Sequence, residues 1–138
     1  MNITITIPKN IFDNWLEEHN QAIDDGMELW FKIPSFPKQC KAGDKCYFIY
    51  NGRVMGFHYI ERFEEVDEEG FDCQVTGKHW GKGVYIIRSP TTVEFFGIDK
   101  QISLDSHRGF RYVKPQTQVL LKKAESYYSE VKNVLLQM

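Results

Sequence analysis

Two groups of residues bring together side chains that could do chemistry. The first is LWFKIPSFPK (29–38), where Trp30, Lys32, Ser35, Phe36 and Lys38 sit at the junction of an aromatic run and a proline-stiffened loop. The second joins GKHWGKG (77–83), with Lys78, His79, Trp80 and Lys82, to SHRGFRYVK (106–114), with His107, Arg108, Phe110, Arg111 and Lys114. In both groups cations interleave with aromatics, and the second adds glycines. Cations neutralise phosphates, aromatic faces stack on bases, and glycine lets a backbone come close. That combination suits a single-stranded or flipped-out nucleotide, which is read by stacking and by hydrogen bonds to a base edge. The same residues would also serve as scaffold. Trp30, Phe110 and Tyr112 alternate as core residues do, and scattered surface cations are common.

Signatures of covalent or metal chemistry are missing. The chain has no GxSxG, Walker loop, GxGxxG or HExxH pattern. Asp105, Ser106 and His107 are adjacent, but neighbours on a strand point to opposite faces, so adjacency does not make a triad. Three cysteines, Cys40, Cys46 and Cys73, cannot all pair with one another and form no CxxC. Cys40 and Cys46 with His58 or His79 match no standard zinc spacing. Reduced thiols in a cytoplasmic protein, with no metal and no cofactor, are the expectation. A hydrolase of modified nucleosides is the alternative, with Lys32 polarising the scissile bond and Glu61 or Glu94 as general acid or base.

These side chains need a frame, and the totals bound it. At 138 residues, 42% hydrophobic and 26% charged, the chain fits one soluble domain able to bury its own core. A net charge of −2 excludes a generally basic coat but not a local basic patch. No secretory signal pattern opens the chain, and no apolar run approaches the roughly 18 residues of a membrane span. NITITI (2–7) alternates as a half-buried strand. Pro8 to Asp25 has helical spacing, with Gly26 just past its end. Strands follow at 27–33, 45–50 and beyond Asn51-Gly52, the last of these turns being the strongest short-range hairpin signal. Gly56 suggests a bulge in the second strand of that hairpin. EEVDEEG (64–70) reads as a solvated turn region, FDCQVTG (71–77) as a strand and KHWGKG (78–83) as a loop. Strands at 84–89 and 91–97, an extended segment over 101–113 and a helix from Pro115 to about Gln137 complete the order. A further alternative is a protein-interaction or regulatory domain of a mobile element, in which the acidic first helix and the Tyr127-Tyr128 helix would form interfaces, including a homodimer's.

Read in order, Trp30-Phe31-Lys32, Ser35, Gly43-Asp44, Tyr47-Phe48-Ile49-Tyr50 and Val54-Met55-Gly56-Phe57 resemble the first part of the PUA-like superfamily, in particular its EVE, YTH and ASCH branches. The likeness runs over roughly residues 27–113 and is strongest over 27–61. It implies an α+β fold: a small mixed or antiparallel β-barrel flanked by an N-terminal and a C-terminal helix. The single domain would comprise a strand-helix extension (1–26), the barrel (27–113) and the final helix (115–137). It further implies a pocket that receives a base, often modified, from RNA or DNA, with Lys32 and Ser35 at its mouth and Trp80 as an aromatic wall. The ASCH signature Gly-x-Lys-x-x-x-x-Arg is missing, so amidohydrolase activity is not implied. The expected nucleic-acid-binding residues are Lys32, Ser35, Phe36, Trp80, Arg108 and Arg111. No catalytic residue is assigned and no membrane partner is expected.

Overall fold

A computed structural model describes residues 1–7, 21, 24–26, 28–72, 77, 79–88, 94–95 and 102–137, with backbone alone for 94–95 and 127–137. The described strands are β1 (Ile3–Thr6), β2 (Leu29–Ile33), β3 (Lys45–Tyr50), β4 (Arg53–Val66), β5 (Phe71–Asp72), β6 (His79–Trp80), β7 (Gly83–Arg88), β8 (Glu94–Phe95), β9 (Ile102–Ser103) and β10 (Phe110–Tyr112), followed by helix α1 (Pro115–Gln137). The main sheet runs β10-β1-β3-β4-β7-β2, with β8 and β9 also pairing β4; β5 and β6 form a separate ribbon. β1 and β3 are parallel, and the other pairs are antiparallel.

The Asn51-Gly52 turn forms as its residues dictate. Both sit at positive φ, +54° and +74°, and β3 and β4 fold back on each other through it. Phe48 pairs with Gly56 but Ile49 with Val54, so Met55 is the extra residue of a bulge. β4 then continues to Val66. The acidic turn expected over 64–70 is therefore shorter, because Glu64 and Glu65 pair with Tyr85 and Val84 of β7. The loop expected at 78–83 likewise contains a strand: Asp72 and His79 pair across the β5–β6 ribbon, their side chains 2.9 Å apart.

Alternation along the strands gives the curled sheet two apolar faces. Its concave face packs Ile3, Ile5, Ile33, Cys46, Phe48 and Ile86, drawn from both ends of the strand order. Tyr47, Ile49, Val54 and Phe57 lie on the convex face, where Val113 and the helical Leu121 and Ala124 cover them. A polar cluster fixes α1 there. Tyr47 donates to Glu125 at 2.6 Å, Gln118 donates to Tyr47 at 3.0 Å, and Lys45 pairs with Glu125 at 3.1 Å.

The expected β-barrel is an open half-barrel. Its end strands β2 and β10 are not hydrogen-bonded to each other. Pro34, directly after β2, has no N–H to continue a ladder. The ends nevertheless meet: a Cβ on Gly109, at φ +65°, would lie 2.7 Å from Pro34 Cδ. Only glycine combines that φ with that approach. The helix expected over Pro8–Asp25 lies for the most part outside the described residues, as does the strand expected over 91–97 except for Glu94 and Phe95.

Candidate functional site

The sequence-derived residues lie along and beside the seam where β2 and β10 approach. Lys32 is on β2, on the face opposite Phe31 and Ile33, which pack toward the concave core. Arg111 is on β10, opposite Phe110 and Tyr112. Both therefore face outward. Ser35 and Arg108 are exposed and flank the Pro34–Gly109 contact. Two residues of extended chain, about 7 Å, separate Lys32 from Pro34 and Arg111 from Gly109. The seam thus carries Lys32, Ser35, Arg108 and Arg111 on one outer strip.

At the Arg111 end the strip opens into a cavity of about 190 Å³. Its floor includes Ile49 and Val113, and Leu104, Asp105 and His107 form one wall. Lys114 and Thr117, at the start of α1, form another. The helix begins here because Pro115 suits a first helical position, and Gln118 N–H closes the first turn onto the Lys114 carbonyl at 2.9 Å. That turn contains no acidic residue, so its partial positive charge is uncompensated.

His107 is held as a neutral ring. Its Nδ1–H donates to the Arg108 carbonyl at 3.2 Å, so Nε2 accepts from the Thr4 hydroxyl at 2.8 Å. Its backbone N–H donates to Thr6 Oγ1 at 3.0 Å. Burial, reinforced by the neighbouring Arg111 charge, pushes its pKa below 6.5 despite the Arg108 carbonyl. Arg111 and Lys114 make no ion pair with a carboxylate among the described residues. Among the described residues Asp105 is the one carboxylate lining the cavity. The permanent charges around it therefore favour an anion.

The other end of the strip is aromatic. Lys32 pairs with Tyr85 across β2 and β7, and its stem crosses Gly83. The β5–β6 ribbon lays Phe71 and Trp80 against this outer face. Phe71 is 4.7 Å from Trp30, Trp80 is 5.8 Å from Tyr85, and Phe71 and Trp80 are nearly parallel at 6.4 Å. Trp80 is thus a partly exposed member of a packed outer cluster. Phe36 lies apart from it, edge-on to Phe63 at 5.1 Å. Arg62, 6.0 Å from the Trp30 ring, is neutralised by Glu28 and Glu64. Glu61 belongs to that same ion cluster, 3.8 Å from Arg62.

Sequence reasoning placed Lys114 in a basic cluster without assigning it to the site, and it missed Thr4 and Thr117. The readable signal for Thr4 was its position between Ile3 and Ile5, which puts it on the face opposite theirs. Arg88 was also missed. It lies buried on the concave side, 5.8 Å from the Phe31 ring, with Nη1 3.4 Å from His58 Nδ1. Cys40 and Cys46 are buried free thiols, pushed by burial to about 11 and about 12. Among the described residues no cluster of His, Cys, Asp and Glu could hold a metal ion, and no helix is long and apolar enough to cross a membrane.

No protein-family model, curated protein or solved structure matches the chain.

Proposed function

We propose that the seam binds single-stranded nucleic acid, with Lys32, Arg108, Arg111 and Lys114 against phosphates and the Trp30–Phe71–Trp80 cluster offering exposed ring surface to a base. One observation carries the reading. In a chain of net charge −2, these four cations share an outer strip and its cavity without a carboxylate ion pair among the described residues. Some cations elsewhere, Lys45 and Arg62 among them, are paired with acids. Unpaired surface cations in register with a strand of phosphates release counterions on binding and stabilise the complex.

The resemblance of residues 27–61 to PUA-like domains points to the same ligand class, though it implies a pocket inside a barrel. The described concave face is filled by its own side chains, so the reading places the ligand on the outer surface. Fluorescence anisotropy with a labelled single-stranded oligonucleotide and its duplex, in RNA and DNA forms, tests it. Single strands should bind more tightly, with log K falling linearly as log salt rises. Absence of single-strand binding at low salt would rule the proposal out.

A further inference from the structure

We propose that the cavity between β10 and α1 receives a terminal phosphate of the strand, a phosphomonoester, rather than one of its internal phosphodiesters; this rests on the nucleic-acid reading above. The cavity is a recess with three built sides. Thr4 of β1, Ile49 of β3 and Val113, just past β10, supply its floor, the 104–107 segment one wall, and the start of α1 the other. An internal phosphodiester needs a path for the chain on both of its sides. A terminal group needs only one.

The charges and donors agree with that shape. Arg111 and Lys114 supply two permanent positive charges against Asp105, and Thr117 adds a hydroxyl. A phosphomonoester carries about −1.5 to −2 charge near neutrality and three free acceptor oxygens. An internal phosphodiester carries one negative charge and two such oxygens. Arg111 can present a planar fork of N–H donors, and Lys114 a point charge. Thr4 does not compete for this role, because its hydroxyl proton is directed to His107 Nε2, 2.8 Å away. Apolar Ile49, Leu104 and Val113 line the recess between the polar groups.

The test compares one single-stranded sequence ended by 5′-phosphate, by 3′-phosphate or by hydroxyls alone, at fixed salt, on the full chain. The phosphorylated form that fits should bind roughly tenfold or more tightly than the hydroxyl form, and the two phosphorylated arms identify which end enters. Arg111→Ala and, separately, Thr117→Val should reduce that ratio toward one while circular dichroism shows an unchanged fold. Equal affinity for all three forms would overturn the terminal-phosphate assignment and leave the nucleic-acid reading standing. Binding of none of them would overturn both.

Discussion

The concave and convex sides of the half-barrel both hold cations without carboxylate partners among the described residues, and the two situations differ in kind. On the concave side Arg88 is 1% exposed, and its Nε has no hydrogen-bond partner among the described residues. Burial lowers its pKa, and taking such a charge from water costs several kcal/mol before any compensation. The Phe31 ring and the contact to His58 Nδ1 return part of that cost. On the convex side Lys32, Arg108 and Arg111 are exposed and remain hydrated. Their lack of partners costs little and leaves the charge available. A missing counter-ion is thus a stability liability inside and a binding capacity outside.

Substitutions on the two sides should separate these effects. Phe48→Ala, in the concave core, should cost about 3–5 kcal/mol in urea denaturation through lost burial and a cavity. Oligonucleotide affinity per folded molecule should not change. Arg88→Met keeps most of the volume and removes the buried charge, and should raise stability by about 1–3 kcal/mol. A loss of more than 1 kcal/mol would mean that the guanidinium is well compensated, and the contrast would fail. Glu125→Ala breaks the cluster that holds α1 to β3, and should cost about 1–3 kcal/mol by stranding Tyr47 and Lys45. Arg111→Ala should leave stability within about 0.5 kcal/mol while weakening binding.

A smaller, pH-dependent effect belongs to the turn that leads into β3. Burial would raise the Asp44 pKa, but hydrogen bonds from the Met1 ammonium and the Lys41 N–H, both 2.9 Å, outweigh it and hold the carboxyl below 3.8. Its contribution is present above the unfolded value and disappears as pH falls through the folded one. Asp44→Asn should therefore cost about 1–2 kcal/mol near neutral pH. Its stability curve should converge with the wild type's below pH 3.8. Parallel curves down to pH 2 would remove Asp44 from the account.

Local chemistry made much of the sheet readable. Asn51-Gly52 specified its turn, Gly56 sat beside the bulge, and the apolar spacing of residues 115–137 matched α1. The length of β4 was hidden because Glu64 and Glu65 look like turn residues, and only pairing with β7 keeps them in the strand. The site was legible as composition, not as position. Lys32, Arg108 and Arg111 were named from their aromatic neighbours, but their common strip depends on the Pro34–Gly109 approach across 75 residues of chain. No local pattern encodes that contact. The packing of Trp80 was hidden for the same reason, since its partners Phe71 and Tyr85 come from other strands.

The central claim is that seam cations, rather than cations in general, bind the nucleic acid. Its most direct test is the salt dependence of single-strand binding for wild type, for Lys32→Ala/Arg108→Ala/Arg111→Ala, and for Lys122→Ala/Lys123→Ala on the exposed side of α1. The seam variant should lose about 0.7 from the slope of log K against log salt for each phosphate contact removed, while the helix variant keeps the wild-type slope. Equal slopes for the wild type and the seam variant would contradict the account.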